Sequence, residues 1–225
     1  MENLTRRDRE RQVREGEIVT AAGLIFSQKG FDNASMDEIA KAAQFTKRTL
    51  YQYFANKEEL YFAAARKGMK QLFAYLLEVS KNGPTGYEKI CRLSTGYYQF
   101  YNDFPETLRI ISYIGHVKRS AKEISQRQKD LQACNDEMFG SVARTVAEGI
   151  ADGSIRGDLD PEKVTFSLVF MMTGFFNLLS ITGDTFMENF ALQQKDFCSF
   201  SLRLLTDSIR SEKVSPQSQS TKTLR

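Results

Sequence analysis

Apolar positions recur along this chain at intervals of three and four residues, the period of an amphipathic helix. In residues 13–29 this spacing places Ile18, Ala22, Ile25 and Phe26 on one face. Comparable stripes follow to residue 210, and no alternating strand pattern of useful length occurs. The pattern predicts an all-α fold of about nine helices, divided near residues 55–60 into a small three-helix module and a larger helical body.

Two short helices with clear start signals are predicted in residues 35–54. Ser35 with Glu38 has the spacing of a capping box, and Thr46 can cap the next helix. The inward positions of that helix are Leu50 and Phe54. Residues 43–45 leave room only for a tight turn, so the segment is predicted to be a helix-turn-helix.

The body is predicted to consist of helices separated by Gly, Pro and Asp breaks. A long polar helix is expected over 120–151, followed by two last helices over 161–183 and 188–210. The stripe predicted for the long helix contains Ile124, Leu131, Met138, Val142, Val146 and Ile150. Residues 211–225 are polar and poor in apolar side chains, so they are predicted to be a disordered tail.

One segment of the body reaches the length of a membrane span. Residues 164–181 contain no charged side chain over 18 positions. Several Ser, Thr and Asn residues interrupt the segment, and no Trp or Tyr belt flanks it. We therefore predict no membrane segment but a helix buried on all sides, partly by a second subunit, because a chain of 225 residues cannot easily cover it alone.

Composition and charge point to an ordinary soluble protein. The net charge is only +3, so any nucleic-acid surface must come from a local concentration of cations. Such a concentration exists in residues 41–57. This segment contains Lys41, Lys47, Arg48 and Lys57 but no Asp or Glu. The three cysteines are widely spaced, and no signal-peptide core is seen. A reducing, cytoplasmic location is predicted.

The second short helix carries the side chains that suit a DNA major groove. Arg or Lys can bond guanine, Gln can bond adenine, and Thr can contact a thymine methyl group, while tyrosine hydroxyls and Lys57 suit phosphates. The alternative is a solvated basic helix face that binds nothing. The outward residues are Thr46, Lys47, Arg48, Thr49, Tyr51, Gln52 and Tyr53.

A family resemblance is carried by three strings in residues 18–60. Ala22 and Phe26 precede Lys29-Gly30-Phe31, then S-M-D-E-I-A follows from residue 35, and T-L-Y-Q-Y-F-A-N-K-E-E-L spans 49–60. This run resembles the DNA-binding domain of the tetracycline-repressor (TetR) family of bacterial regulators. The resemblance is close over about the first quarter of the chain and is limited to helix order and length behind it.

The resemblance implies roles for individual residues. Lys47, Arg48, Thr49 and Tyr51 match groove-facing positions, while Tyr53 and Lys57 match phosphate-contacting ones. At the position of Arg48 many members carry a small residue, so the operator sequence does not follow by analogy. Together with Ser35 and the outward residues above, these form the predicted DNA-binding set. Arginines in the first 12 residues, expected to be a flexible arm, either add phosphate contacts or are merely solvated.

For the body, the resemblance implies a small-molecule effector and a homodimer formed through the helices near 161–183 and 188–210. Aromatic side chains indicate an apolar or aromatic effector, although aromatic stripes at helical spacing line a core more often than a pocket. The candidate pocket residues are Tyr97, Tyr98, Tyr101, Tyr113, His116, Phe170, Phe175 and Asn177.

These inferences combine into one functional hypothesis. Residues 13–58 would bind a palindromic double-stranded operator, and residues 59–210 would bind the effector and dimerise, so that the effector releases a repressor from DNA. The alternative is a DNA-binding protein whose body is a protein-interaction surface with no effector. With one histidine and no nucleophile–base pair, metal cluster or phosphate loop, neither an enzyme nor a cofactor is predicted.

Overall fold

The computed structural model describes residues 5–120 and 124–212 of the chain. These residues form ten α-helices and no strand, apart from an isolated bridge between Ile155 and Arg210. The all-α prediction is confirmed, and a turn at Tyr113 separates the sixth helix from the seventh. The helices are α1 (Arg6–Asn33), α2 (Met36–Ala42), α3 (Lys47–Tyr51), α4 (Lys57–Ser80), α5 (Gly86–Asp103), α6 (Pro105–Ser112), α7 (Ile114–Ser120), α8 (Gln126–Ala151), α9 (Pro161–Asn189) and α10 (Gln194–Asp207).

The first helix begins earlier than the apolar pattern indicated. Thr5 and Asp8 form a capping box, in which the Thr5 hydroxyl accepts from the Asp8 N–H and the Asp8 carboxylate accepts from the Thr5 N–H. The cap holds the following basic residues in helical conformation. The structure therefore differs from the flexible arm expected over residues 1–12: from Arg6 onward that segment is helical.

The end of α1 is shaped by a glycine and a lysine. Gly30 has φ 76° and ψ 168°, a conformation open almost only to glycine, and it interrupts the helix before the last turn at residues 31–33. The ammonium of Lys57 donates to the carbonyls of Phe31 (2.7 Å), Asp32 (3.2 Å) and Ala34 (3.0 Å). Lys57 thus caps this turn with all three of its N–H donors.

The predicted DNA-binding module, residues 13–58, shares its core with the body. Ile18 and Phe26 of α1, Leu50 of α3 and the following Phe54 are buried together with Tyr61 of α4. The inward positions predicted for these segments are confirmed. Because α4 contributes to this core and then continues into the body, it is one rigid connection between the two parts.

Two glycines allow α5 and α8 to approach closely. A Cβ atom on Gly86 would lie 2.2 Å from the main-chain nitrogen of Gly149, so no larger residue fits without displacing a helix. The Asp152 carboxylate accepts from the Gly86 N–H at 2.8 Å and fixes the start of α5. The contact sets the distance between two walls of the cavity described below.

The long polar helix begins later than predicted. Ser125 caps α8, its hydroxyl accepting from the Gln128 N–H, so Ile124 lies before the helix and is 69% exposed. Ile124 was therefore wrongly assigned to the apolar stripe, whereas Leu131 and Val146 are buried as predicted. Residues 121–123 of the predicted helix, and residues 213–225 of the predicted tail, lie outside the described residues.

The last two helices have different bounds and a different environment from those predicted. α9 continues through a buried Gly183 to Asn189, and the chain turns at Ala191, which has φ 51°. In the single chain one side of this helix packs inward, while Phe170 is 75% and Ile181 72% exposed, so the expected burial by a second subunit stays a prediction. By length and composition α9 is the one described helix that could cross a membrane, and 28% of its apolar window is buried.

Candidate nucleic-acid interface and body cavity

The helix that precedes the candidate recognition helix is fixed by a capping box. Ser35 Oγ accepts from the Glu38 N–H at 3.3 Å, and the Glu38 carboxylate accepts from the Ser35 N–H at 3.1 Å. Lys29 donates to the other carboxylate oxygen. These bonds, that of Lys29 first, lower the pKa of Glu38 to about 2. The half-buried Ser35 thus starts α2, and its predicted contact with DNA stays a prediction.

The turn between α2 and α3 is a Schellman motif. The Phe45 N–H donates to the Ala40 carbonyl at 2.9 Å, and the Gln44 N–H donates to the Lys41 carbonyl at 3.1 Å. Gln44 occupies the left-handed position with φ 58°, which glycine or asparagine would adopt at lower cost. The motif fixes the angle between α2 and the recognition helix.

The recognition helix α3 presents the side chains that the sequence pattern placed outward. Thr46 Oγ1 caps it by accepting from the Thr49 N–H at 3.1 Å. Since Leu50 and Phe54 are fully buried, the opposite side of the helix faces solvent. Thr46, Lys47, Arg48, Tyr51 and Gln52 are exposed, and Thr49 and Tyr53 are half-buried. This arrangement leaves the predicted base-reading groups accessible.

Two cations of the recognition helix have different surroundings. Lys47 Nζ lies 2.7 Å from a carboxylate oxygen of Asp37 in α2, and this bond raises the pKa of Lys47. Arg48 has no hydrogen bond or ion pair with any residue of 5–120 or 124–212. Because both partners of the Lys47 pair are about half exposed, a DNA phosphate can replace Asp37 at little cost. Arg48 can bind a phosphate without first giving up a carboxylate partner.

Lys57 differs from its predicted role as a phosphate ligand. Its ammonium is used by three main-chain carbonyls at the end of α1 and lies 4.5 Å from the centroid of the Phe31 ring. In this conformation it has no free donor for a phosphate. The sequence misled here because a lysine after a basic helix has the same pattern whether it faces solvent or folds back.

Tyr53, the other predicted phosphate contact, lies beside the basic start of α1. The guanidinium of Arg11 lies 5.3 Å from the centroid of the Tyr53 ring. The main-chain carbonyl of Tyr53 accepts from Arg127 of α8 at 3.2 Å. Arg11, which belongs to the arm that was expected to be flexible, is therefore packed close to the recognition helix.

The body contains an apolar cavity of about 360 Å³ between α4, α5, the α6–α7 junction, α8 and α9. This body cavity has the size of a small-ligand pocket. Among the described residues no charged side chain lines it, and the polar ones in its wall are Ser94, Tyr97, Asn135 and Thr173. The remaining wall consists of aliphatic, Met and Phe side chains together with Gly115: Met69, Leu72, Leu76, Ile90, Leu93, Ile111, Ile114, Met138, Phe139, Val142, Leu168, Val169, Phe170 and Met172.

The structure separates six of the eight predicted pocket residues into three groups. Tyr97 and Phe170 line the body cavity. Tyr101 and Asn177 line a smaller cavity of about 110 Å³, to which Tyr97 also contributes. Tyr98 and Phe175 line neither of these two cavities and pack against Phe176, with ring centroids 5.9 and 5.1 Å away. Most of the cavity wall was missed, because aliphatic side chains at helical spacing look the same in a core and in a pocket.

Tyr113 and His116 do not line the body cavity. The Tyr113 hydroxyl donates to the Asp32 carboxylate at 2.6 Å, and His116 Nε2 lies 4.0 Å from the same carboxylate. Both therefore join the α6–α7 junction to the end of α1. The intervening Ile114 and Gly115 do line the cavity, so this junction contacts the DNA-binding module on one side and the cavity on the other.

Further bonds from α6 reach the DNA-binding module. Arg109 donates to the carbonyl of Ser27 in α1 at 2.8 Å. Tyr61 of α4 donates to the carbonyl of Ile110. Because Ile111, the next residue, lines the body cavity, α6 is in a position to sense the contents of the cavity and to move α1 and α4.

The described residues contain neither a metal-binding cluster nor a cysteine thiol with a lowered pKa. No group of three or more His, Cys, Asp or Glu side chains is close enough there to hold a metal ion. Burial raises the pKa of all three thiols, that of Cys198 to about 11, so they stay protonated and poorly nucleophilic at neutral pH.

Comparison with known proteins gives a family match for the front of the chain. Residues 18–64 match the model of bacterial regulatory proteins of the tetR family. The transcriptional activator FasR of Mycolicibacterium smegmatis is 26% identical over 134 residues, which cover 60% of this chain. The matched region spans 61% of the length of FasR, less than two thirds.

Solved structures extend the likeness to the body. The ketosteroid transcriptional regulator KstR2 of Mycobacterium tuberculosis has a TM-score of 0.63 at 19% identity, covering 88% of this chain and 96% of its own. AibR in complex with isovaleryl coenzyme A and operator DNA has a TM-score of 0.60 at 22% identity, covering 73% and 86%. At these identities the likeness concerns the fold.

Proposed function

We propose that this chain is a ligand-responsive, homodimeric repressor of the TetR family, because residues 18–64 match the model of that family and the relatives are named as transcriptional regulators. In this proposal the DNA-binding module holds a palindromic operator, and a small apolar effector in the body releases it. The names of the relatives describe DNA-binding regulators, which supports a non-enzymatic role in the cytoplasm.

For the DNA side, we propose that α3 reads the major groove. Lys47, Arg48 and Gln52 are exposed and can bond purine edges, while Thr46 and Thr49 at the start of the helix are placed near a phosphate or a thymine methyl group. The acid-free stretch from Lys41 to Lys57 supports an attractive potential at this surface. Tyr51 and Tyr53 have hydroxyls suited to phosphates.

For the effector side, the absence of charge in the wall of the body cavity supports an apolar ligand group. A buried charge without a partner would be strongly disfavoured in such a site. The volume of about 360 Å³ suits a short acyl chain or a small ring system. AibR, which shares the fold, is described in complex with isovaleryl coenzyme A, and its acyl group has this character.

For the dimer, the supporting observation is the exposed apolar surface on the last two helices. It contains Phe170, Met171, Leu178 and Ile181 of α9 and Phe200 and Leu204 of α10, all large and all exposed in the single chain. A second copy would cover these side chains by a two-fold contact. Such a dimer also holds two recognition helices at the spacing of successive major grooves, about 34 Å.

The proposed mechanism is a shift between two conformations of the body. α4 lines the body cavity with Met69, Leu72 and Leu76 and also contributes Tyr61 to the core of the DNA-binding module. An effector that prefers a displaced position of α4 and α6 would shift the population of the dimer away from the DNA-binding spacing. The affinity for the operator then falls because the two recognition helices cannot contact both half-sites at the same time.

The observation that carries this proposal is that the same two helices, α4 and α6, contact both the apolar body cavity and the DNA-binding module. The test is a footprint of the purified protein on the DNA upstream of its own gene, at moderate salt, against random DNA of equal length. Protection of a palindrome is expected, reduced by an apolar ligand such as isovaleryl coenzyme A used as a first probe. Equal affinity for the upstream and random DNA would contradict the proposal.

A second candidate function is supported by the α9–α10 surface. In this alternative the body binds another protein through Phe170 and its exposed neighbours and has no effector. Light scattering of the purified chain separates the two, because a stable dimer at micromolar concentration would leave no such surface free. If the chain is a monomer in solution and still gives a footprint on its operator, the alternative in which the body binds another protein is favoured.

A further inference from the structure

One arginine of the body contacts α1, the segment that follows the recognition helix, and the start of α4 at once. Arg127 lies in the first turn of α8, and its Nη1 donates to the carboxylate of Glu15 in α1 at 2.8 Å. Its Nη2 donates to the carbonyl of Tyr53 at 3.2 Å, just after the recognition helix. Its Nε lies 3.9 Å from the carboxylate of Glu59 in α4, and its Cζ lies 4.4 Å from the centroid of the Phe54 ring.

The surroundings of Arg127 make these contacts stronger than an ordinary surface ion pair. The side chain is 26% exposed, and Glu15 and Glu59 are 30% and 22% exposed, so solvent screens the pairs only in part. The planar guanidinium lies over an aromatic ring and bonds in two directions, a geometry that lysine cannot reproduce. Its position at the carboxyl end of α3 also complements the partial negative charge of that helix end.

The same helix carries one wall of the body cavity. Asn135, Met138, Phe139 and Val142 of α8 line the cavity. Asn135 follows Arg127 by two helical turns, about 12 Å along a continuous helix. A displacement of α8 by a ligand would therefore move the Arg127 guanidinium relative to Tyr53 and Glu59.

We propose that Arg127 is a positioning residue that fixes the recognition helix from the body, and that α8 links it to the state of the body cavity. This connection runs through α8, in addition to the connections through α4 and α6. The role of Arg127 in operator release rests on the proposed function. Its effect on the conformational stability of the recognition helix does not depend on that function.

The first test is hydrogen exchange of the full-length protein without DNA. Arg127→Ala is expected to speed the exchange of main-chain amides in residues 46–56 about tenfold, because it removes charge-assisted bonds and leaves Glu15 and Glu59 without their partner. Arg127→Lys is expected to restore only part of the protection. Arg156→Ala is the control, since Arg156 makes a similar two-bond pair with Asp158 far from this interface in sequence.

Amides of α5 serve as an internal reference for folding in every variant. Unchanged exchange of residues 46–56 in Arg127→Ala, with α5 also unchanged, overturns the proposal. If Arg127→Ala loosens α5 as well, Arg127→Lys decides: selective loss in residues 46–56 supports the proposal, and uniform loss overturns it.

The second test asks whether the cavity acts through Arg127. Val142→Phe adds a ring to the cavity wall on α8, with Val142→Ala as the matched control that adds nothing. In the protein with the native Arg127, Val142→Phe is expected to speed amide exchange of residues 46–56 by about threefold. In the Arg127→Ala variant, the same substitution is expected to cause no further increase. Equal effects in both backgrounds overturn the link through α8. If Arg127 protects the amides of residues 46–56 but the wild-type protein binds no upstream DNA, the proposed function is contradicted and the role of Arg127 is not.

Discussion

Tyr61 of α4 donates a hydrogen bond to the main-chain carbonyl of Ile110 in α6 at 2.5 Å, within the core that the DNA-binding module shares with the body. Tyr61 is almost fully buried and makes edge contacts with the rings of Phe26 and Phe31. Burial raises the pKa of Tyr61, so the hydroxyl stays a donor throughout the physiological range. One side chain thus joins α1, α4 and α6.

The first prediction follows from this bond. Tyr61→Phe keeps the ring but removes the hydroxyl, and we expect a loss of about 1–2 kcal/mol in the free energy of unfolding, measured with urea. The loss is moderate because the Ile110 carbonyl keeps the N–H of Tyr113 as a donor. Tyr75→Phe is the control, since its exposed hydroxyl makes only a 3.4 Å contact with Gln99. Equal stability of wild type and Tyr61→Phe would contradict the assignment.

A second prediction compares two glycines of α1. Gly30 has φ 76°, so Gly30→Ala should destabilise the protein by about 1–3 kcal/mol through backbone strain. Gly16 is exposed in the same helix, has ordinary helical geometry, and a Cβ there meets nothing within 4 Å. Gly16→Ala should therefore stabilise by about 0.5–1 kcal/mol. Thermal unfolding of both variants should shift the midpoint in opposite directions.

These residues also show how far the sequence could predict the structure. Caps and apolar spacing located Ser35, Thr46 and the buried pair Leu50 and Phe54, because local signals determine short helices. The role of Lys57 could not be predicted, since its partners are carbonyls some 25 residues earlier in the chain. The cavity wall was missed for a similar reason: whether Met138 or Val142 faces an empty space depends on how five segments pack.

A third prediction concerns acid stability. The pKa of Glu38 is lowered from 4.5 to about 2 by Lys29 and Ser35. A carboxylate whose pKa is depressed by folding stabilises the native state above its unfolded pKa, and this stabilisation is lost as the pH falls from about 4.5 towards 2. Glu38→Gln should therefore have a flatter dependence of unfolding free energy on pH across that window. A parallel dependence in wild type and variant would contradict the role of this carboxylate.

The last prediction separates a structural lysine from a DNA-binding arginine. Lys57→Gln removes the cap from the end of α1 and should lower the unfolding free energy by roughly 1–2 kcal/mol, because three main-chain carbonyls lose a charged donor. It should leave the salt dependence of DNA binding unchanged, since its ammonium is already occupied by three main-chain carbonyls. Arg48→Gln should have the reverse effect, with stability unchanged and the slope of log affinity against log salt reduced by about 1.

Both quantities can be measured with the same samples, using urea unfolding and fluorescence anisotropy on any duplex that the wild type binds. Lys70→Gln is a suitable control, because Lys70 is an exposed lysine of α4, outside the DNA-binding set. If Lys57→Gln instead lowered the salt slope and left stability intact, Lys57 would have to turn away from the Phe31, Asp32 and Ala34 carbonyls when DNA binds. The cap would then be a resting position that competes with phosphate, and the end of α1 would loosen in the complex.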